Sequence, residues 1–379
     1  MSQKSSEMKA QGIDVINMSV GEPDFNTPDH IKQAAKMAID ENYSRYSPVP
    51  GYPNLRQAIA RKLERENHLH YLPSEILVSN GAKQSVCNTV MALVNPGDEV
   101  IIPTPYWVSY PQMVLLAGGQ PVFVEAGFEQ NFKMTAEQLE AAITPKTRML
   151  ILCSPSNPTG SVYSKAELQA LAEVILRHDN LFVLADEIYE HINYIGRHES
   201  IAQFPGMKER SIIVNGVSKA YAMTGWRMGY ASGPLFAIKA MGSIQSHMTG
   251  NPNSITQYAA LTALTAPQDC VVDMAHSFAR RRTLLLFLLA QNGLKPGVMP
   301  KGAFYMLLDV RHYLGKKCGD IVIENDQIFA QMLLEKAFVA VIPGSPFGAD
   351  GFVRMSYAVS DIQLTEAVRR ISAFVESLE

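Results

Sequence analysis

The sequence predicts an α/β fold with a mostly parallel central sheet sandwiched by helices, followed by a smaller α+β unit. Short apolar runs alternate with amphipathic stretches through the middle of the chain, which is the pattern of a parallel sheet covered on both faces. Several runs are continuously apolar, as strands buried on both faces are. A chain of 379 residues also exceeds one ordinary core, so about two domains are expected.

The first elements follow from strand-like runs separated by glycine and proline signals. A strand is predicted at residues 76–79, and the turn at Gly81 opens a helix over residues 83–94. An Asn-Pro-Gly-Asp turn ends that helix. Two further strands are predicted at residues 100–103 and 121–124.

Three buried strands follow, and two helices with capping boxes accompany them. Thr135 and Ser164 each precede a Gln or Glu by three residues, which is typical of a helix start. The strands are predicted at residues 148–153, 181–186 and 212–215. Ligands of such sheets bind beyond the carboxyl ends of the strands, so we expect the functional residues there.

The pattern changes near residue 270 to an α+β segment. We predict a large domain over residues 30–270, and a small domain formed by residues 1–29 and 271–379. The elements predicted in the last part are a buried helix at 283–290, a strand-like run at 302–309, a helix at 326–336, strands at 338–342 and 352–357, and a closing amphipathic helix.

Composition narrows the class of protein. Hydrophobic residues make up 47% of the chain and charged residues 18%, as in a globular enzyme. A net charge of -3 argues against a nucleic-acid partner. The four cysteines form no Cys-x-x-Cys pair and predict reduced, mostly buried thiols of a cytoplasmic protein. Neither a signal peptide nor a membrane-spanning run is recognisable, so no membrane partner is expected.

The segment at residues 218–227, Ser-Lys-Ala-Tyr-Ala-Met-Thr-Gly-Trp-Arg, carries the most chemistry. It follows a predicted strand. Lys219 could form a Schiff base with a carbonyl cofactor, and Arg227 could hold the phosphate of that cofactor. Taken alone, Ser-Lys is far more often a helix cap followed by a solvated lysine, and it carries no signal without the other motifs.

Two other strand ends offer groups that suit a phosphorylated ring. The turn at Gly81 presents the free N–H groups of Ala82 and Lys83 at a helix start, which is an anion site. Asn157 lies in a proline-rich loop and can donate to a ring oxygen. Each segment is also compatible with an ordinary turn.

Four more side chains are compatible with the same chemistry. Asp186 ends a strand and could pair with a protonated ring nitrogen, while Tyr189 could bond a ring hydroxyl. Trp107 could stack on the ring. Arg354 could bind a substrate carboxylate bidentately. A helix cap, a core tryptophan and a solvated arginine are the alternatives for Asp186, Trp107 and Arg354.

With these motifs in order, the chain resembles the class I/II aminotransferases, enzymes of fold type I that depend on pyridoxal 5′-phosphate. The resemblance is strongest at Gly-Val-Ser-Lys-Ala-Tyr-Ala-Met-Thr-Gly-Trp-Arg-Met-Gly, residues 216–229, and extends from Ser19 to Tyr357. Within the family, the amino-acid sequences of residues 105–111 and 222–227 are most similar to those of the prokaryotic-type aspartate aminotransferase subgroup.

The resemblance implies a role for each residue. Lys219 would form the Schiff base and move the substrate proton. Cofactor-binding residues would be Tyr46, Ala82, Lys83, Trp107, Asn157, Asp186, Tyr189, Ser218, Lys219 and Arg227. Substrate-binding residues would be Gly21, Trp107, Asn157 and Arg354. No metal is implied. Tyr46 would reach the cofactor phosphate of a neighbouring subunit, which implies a homodimer.

Two departures from the family pattern are visible. The N-terminal arm that usually precedes the helix containing Met8 is nearly absent. Members that take acidic substrates carry a basic residue on the helix after the Gly81 turn, and Met91 stands near that place. A distal carboxylate without a cationic partner would be poorly held in a desolvated pocket.

The resemblance implies transfer of an amino group from an amino acid, with aspartate favoured, to 2-oxoglutarate by a ping-pong mechanism. An aromatic or prephenate aminotransferase, or a C–S β-lyase of the same fold, is the alternative. An effector-sensing regulator would need a DNA-binding segment for which the chain has no room. A nicotinamide-dependent dehydrogenase would need a Gly-x-Gly-x-x-Gly fingerprint after a strand, and none is present.

Overall fold

The computed structural model describes residues 2–379, which form twelve α-helices and fourteen β-strands. The helices are α1 (Ser2–Ala10), α2 (Asp29–Asp40), α3 (Pro53–Lys62), α4 (Ala82–Leu93), α5 (Ser109–Leu116), α6 (Ala136–Ala142), α7 (Lys165–Ile175), α8 (Leu235–Met248), α9 (Ser254–Thr265), α10 (Asp269–Gln291), α11 (Asp326–Ala337) and α12 (Asp361–Glu376). The strands are β1 (Ile16–Asn17), β2 (Ile76–Ser79), β3 (Glu99–Thr104), β4 (Gln120–Glu125), β5 (Thr147–Cys153), β6 (Phe182–Asp186), β7 (Ser211–Gly216), β8 (Gly229–Ser232), β9 (Tyr305–Asp309), β10 (Lys317–Cys318), β11 (Ile321–Val322), β12 (Val339–Ala340), β13 (Ile342–Pro343) and β14 (Phe352–Ser356).

A seven-stranded sheet in the order β2-β8-β7-β6-β5-β3-β4 organises most of the chain. The pairs among β3 to β7 are parallel, whereas β8 runs antiparallel to both of its neighbours. The predicted α/β class with a mostly parallel sheet is therefore confirmed.

Helices cover both faces of this sheet. Met149 and Ile151 of β5 pack into a core shared with α4, α5 and α8, whereas Leu150 and Leu152 face a core shared with α6 and α7. Because alternate side chains of one strand enter two different cores, the strand has to be apolar throughout. This requirement explains the continuous apolar run in the sequence.

The last third of the chain builds a second sheet and core. Strands β13, β14 and β9 form an antiparallel sheet in that order, and β1 pairs in parallel with β12. Helices α10, α11 and α12 pack on a large cluster that includes Phe278, Phe329 and Ile371. Strand β1 thus joins the N-terminal segment to C-terminal elements, while the domain boundaries at residues 30 and 270 remain predictions.

Some elements differ from the expectation. The strand predicted at residues 338–342 is two short strands, because β12 pairs with β1 and β13 pairs with β14, with Val341 between them. The buried helix predicted at residues 283–290 is the second half of α10, which spans 23 residues. Strand β8 and helices α8 and α9 had no counterpart in the prediction.

The four cysteines are all free, but each is only partly buried, against the expectation of mostly buried thiols. No helix in the described part of the chain has both the length and the apolarity needed to cross a membrane.

Candidate active site

A cavity of about 460 Å³ lies at the carboxyl ends of β2, β3, β5, β6 and β7, facing the antiparallel sheet. The structure brings eleven of the twelve predicted site residues to its wall: Gly21, Ala82, Lys83, Trp107, Asn157, Asp186, Tyr189, Ser218, Lys219, Arg227 and Arg354. They come from seven separate segments of sequence, and the fold brings them together.

Lys219 lies in the turn after β7, and its ammonium donates to the Gly21 carbonyl oxygen at 2.6 Å. Burial lowers the pKa of Lys219 to about 8, the carboxylate of Glu22 opposes this shift, and the cations Arg354 and Arg227 add to it. A lysine in this state releases its proton near neutral pH and becomes a nucleophile.

Asp186 is the last residue of β6, and only 5% of it is exposed. The Tyr110 hydroxyl donates to Asp186 Oδ2 at 2.6 Å, and the Ile188 N–H donates to Oδ1 at 3.3 Å. Burial raises the pKa of Asp186, and these two hydrogen bonds oppose the rise. The floor of the cavity is therefore a carboxylate that needs a cationic partner.

The start of α4 forms an anion cradle. Its N-cap, Gly81, supplies no side chain to the first N–H groups of the helix, so those of Ala82 and Lys83 stay available. Gly81 has a φ of +83°, and a Cβ built on it would lie 2.5 Å from Arg227 Nη2. Only glycine lets the Arg227 guanidinium approach the helix start this closely, and the cradle fits a phosphate group.

Arg354, in the middle of β14, reaches the cavity from the second sheet. Its Nη1 donates to Asn157 Oδ1 at 3.0 Å, and its Nη2 donates to the Ser19 carbonyl at 2.8 Å. The guanidinium lies 4.6 Å from the centroid of the Tyr305 ring and 5.0 Å from that of Phe347. Its buried Nε has no hydrogen-bond partner, whereas the two hydrogen bonds and the two aromatic rings hold the guanidinium in place.

Aromatic side chains complete the wall. The Tyr189 and Tyr305 hydroxyls lie 2.9 Å apart. The Trp107 ring meets Tyr110 edge-on at 5.3 Å between centroids, and Lys83 Nζ lies 4.9 Å from the centroid of Trp107. These rings suit a flat cofactor, and the exposed Lys83 lies in the same cavity wall with its ammonium over the Trp107 ring.

Sequence reasoning missed eight wall residues: Val108, Tyr110, Cys153, Ile188, Thr224, Tyr305, Ile342 and Phe347. Tyr110 carried a weak signal, since it lies three residues after Trp107 in the same loop motif. Ile342 and Phe347 had none, because only tertiary packing brings them beside the first sheet.

Two positions lie elsewhere. Tyr46 is 98% exposed and stands outside the cavity of its own chain, so its predicted role in a second subunit remains a prediction. Met91, where the family pattern has a basic residue, is on the helix but not in the described cavity wall; its sulfur contacts that of Cys87 at 3.8 Å.

The buried amine, the buried carboxylate and the helix start with Arg227 fit the chemistry of an enzyme with a phosphorylated carbonyl cofactor, and Arg354 lines the same cavity. The chain belongs to the aminotransferase class I and II family, whose model matches residues 13–371. Enzymes of this family depend on pyridoxal phosphate, which is therefore the cofactor of this chain, and the protein is a transaminase.

Three relatives show how close the similarity is. An aspartate/prephenate aminotransferase of Cereibacter sphaeroides is 51% identical over 378 residues, which cover 99% of this chain and 94% of the relative. The crystal structure of an aspartate aminotransferase from Rhizobium meliloti matches with a TM-score of 0.96 and 48% identity, covering 100% of this chain and 95% of that one. The aspartate aminotransferase of Thermus thermophilus, solved with maleate, matches with a TM-score of 0.93 and 44% identity, covering 98% and 95%.

Proposed function

We propose that this aminotransferase takes aspartate as amino donor and 2-oxoglutarate as acceptor, in a ping-pong reaction at the cavity around Lys219. The proposal rests on two cationic side chains in the cavity wall, Arg354 and Lys83, that could each bind a substrate carboxylate. Arg354 lines the cavity with its Nε unpaired and could bind one carboxylate, and Lys83, exposed on the same wall, could bind a second. Substrates with two carboxylates match this pair.

The assignment of roles follows the geometry of the cavity. When bound, pyridoxal phosphate supplies an acceptor for the electrons released when the substrate Cα loses its proton. Lys219 would hold the cofactor covalently until the substrate amine displaces it, and the released Lys219 amine would then carry the proton to and from Cα. Asp186 would bind the ring nitrogen, and the α4 cradle with Arg227 would bind the phosphate.

Further residues position the ring and the substrate. Tyr189 and Asn157 bind the ring hydroxyl, Trp107 stacks on the ring, and Ser218 lies beside Lys219 at the phosphate end. Arg354 orients the α-carboxylate so that the Cα–H bond faces the lysine. The Gly21 carbonyl, which accepts a hydrogen bond from the Lys219 ammonium at 2.6 Å, lies in the same cavity wall.

Lys83 replaces the basic residue expected near Met91. Its side chain is free for a substrate, because its phosphate contact is through the backbone. The related Thermus enzyme was solved with maleate, a dicarboxylate, which supports a second carboxylate site in this fold. We also propose a cytoplasmic homodimer in which Tyr46 of each chain completes the site of the other.

An aromatic or prephenate substrate is the second candidate. Val108, Ile342 and Phe347 give the wall an apolar portion that could contact a ring. A relative with 51% identity is named an aspartate/prephenate aminotransferase. Aspartate and prephenate are compatible as substrates of one enzyme, because each of them carries two carboxylates.

The deciding experiment is a substrate panel with purified protein loaded with pyridoxal phosphate. We expect the highest kcat/KM with aspartate or prephenate, and lower values with phenylalanine. In K83M, KM for aspartate should rise roughly tenfold or more, because the variant loses one charge-assisted hydrogen bond to the substrate. The exposed-lysine control K146M should leave KM unchanged. Pyruvate and ammonia as the dominant products from cystathionine would identify a lyase instead.

A further inference from the structure

We propose that Tyr110 is a positioning residue, which keeps Asp186 ionised and oriented so that Asp186 can hold the proton on the ring nitrogen of the cofactor. The inference rests on the proposed role of Asp186. It adds a residue whose hydroxyl acts through that carboxylate.

The hydrogen bond is built into the fold. Tyr110 lies in the first turn of α5 and is 2% exposed, and its hydroxyl donates to Asp186 Oδ2 at 2.6 Å. The Trp107 ring meets its ring edge-on, which restricts the side chain to this orientation. Strand β6 fixes Asp186 from the other side. Both partners are buried, at 2% exposure for Tyr110 and 5% for Asp186, so water does not compete for the hydrogen bond.

The carboxylate depends on this donor. Burial favours the protonated form of Asp186, and the neighbouring Glu187 carboxylate adds to that effect. Among the described residues, Asp186 accepts hydrogen bonds from the Tyr110 hydroxyl and from the more distant Ile188 N–H, and Lys219 adds a weaker attraction. Loss of the phenol would make Asp186 more basic, so Asp186 would take the proton that the ring nitrogen needs.

Tyr110 remains a donor throughout the working range of the enzyme. Burial, followed by the Asp186 charge, raises the pKa of the phenol well above its ordinary value. The hydroxyl therefore does not ionise, and the direction of the bond stays fixed. A short bond of constant direction to a buried carboxylate is a charge-assisted interaction, which is about twice as strong as a neutral one.

The test compares two ligands of the apoenzyme: pyridoxal phosphate, and its carbon analogue in which a CH group replaces the ring nitrogen. Dissociation constants are measured for the wild type and Y110F. We expect Y110F to bind pyridoxal phosphate about tenfold more weakly, the loss of one hydrogen bond to a charged group. Binding of the carbon analogue should be unchanged, because that ligand has no nitrogen to pair with Asp186.

The control is Y163F, which removes the hydroxyl of another buried tyrosine. That hydroxyl accepts from the Met134 N–H at 2.7 Å and does not touch Asp186. Y163F should bind both ligands like the wild type. A ¹⁵N spectrum of labelled cofactor should show the ring nitrogen shifted toward its unprotonated value in Y110F and not in Y163F.

An equal loss of affinity for both ligands in Y110F would assign Tyr110 a merely structural role, and no loss for either would remove it from the site. If Y110F does not fold, 3-fluorotyrosine at position 110 keeps the shape with a stronger donor. It should tighten pyridoxal phosphate alone, and no change would overturn the inference. A wild type that binds both ligands equally would instead reject the proposed role of Asp186.

Discussion

At the scale of single residues, the cavity maintains Lys219 as an amine that is easily deprotonated. Burial and the cations Arg354 and Arg227 favour the neutral amine, whereas Glu22 favours the ammonium. The result is a pKa of about 8, so a far larger fraction of the amine is neutral at pH 7 than in an exposed lysine.

Uptake of pyridoxal phosphate by the apoenzyme should follow this pKa. Below pH 8 the amine is mostly protonated and cannot attack a carbonyl, so the rate constant for covalent uptake should rise with pH through a midpoint at about 8. In E22Q the midpoint should move to lower pH, because a carboxylate that stabilises the ammonium is lost. Stopped-flow absorbance measures the rate. The exposed variant E64Q should keep the wild-type profile, and a profile unaffected by E22Q would argue against the electrostatic coupling.

A second residue-scale feature is a buried ion pair away from the cavity. Lys62 is 1% exposed, contacts the carboxylate of Glu190, and donates to Asn67 Oδ1 at 2.9 Å. The Lys62 charge helps to hold the pKa of Glu190 well below its ordinary range, against the effect of burial.

Replacing Lys62 with methionine should therefore be costly. K62M leaves Glu190 buried without its cation, and we expect a loss of about 3–5 kcal/mol in the free energy of unfolding. The matched variant K4M breaks the exposed pair of Lys4 with Glu335 and should cost less than about 1 kcal/mol. Urea denaturation of both variants measures the difference. Equal losses would show that burial does not control the strength of these pairs.

At the scale of elements, hydrophobic pattern and caps were enough to predict the parallel strands. The helix predicted at residues 83–94 is α4, at Ala82–Leu93, and the capping boxes at Thr135 and Ser164 are both formed. Strand β8 was missed because Gly-Tyr-Ala-Ser has little β-propensity, and its place between β2 and β7 depends on non-local pairing.

The start of α4 provides an element-scale prediction. G81A and G97A both force alanine into the left-handed region, since the glycines have φ of +83° and +88°. Each should lose about 1–3 kcal/mol of stability. Only at Gly81 does the new Cβ meet a side chain, Arg227, whereas nothing lies within 4 Å at Gly97. G81A alone should therefore weaken binding of pyridoxal phosphate, measured by fluorescence titration. Similar affinities in the two variants would contradict the cradle.

At the scale of the whole molecule, the cavity combines the two sheets. Asn157 follows a strand of the large sheet and Arg354 lies on the small one, yet they share a hydrogen bond across 197 positions of sequence. The sequence motifs indicated a possible role for each residue separately, and only the family resemblance predicted that the residues share one site. The wall residues Ile342 and Phe347 could not be predicted, because their position depends on how the sheets pack together.

The proposed homodimer gives a whole-molecule prediction. Y46A should lose activity at low cofactor concentration, and K219A should be inactive. Refolding a one-to-one mixture of the two should restore about a quarter of the wild-type activity, because half of the dimers would carry one intact site out of two. A turnover assay after mixing measures this recovery. The separately refolded variants are the control, and a mixture no more active than they are would place Tyr46 outside the partner site.

The N-terminal loop at residues 21–27 is hydrogen-bonded to the loop that carries Lys219. Thr27 donates to the Ala222 carbonyl at 2.7 Å, Thr224 donates to Glu22 at 2.8 Å, and Lys219 donates to the Gly21 carbonyl. Covalent attachment of a ligand to Lys219 would remove the hydrogen bond to Gly21, whereas the hydrogen bonds of Thr27 and Thr224 do not involve the lysine. The rate at which a protease cleaves this loop would therefore report, without a label, whether the site is loaded.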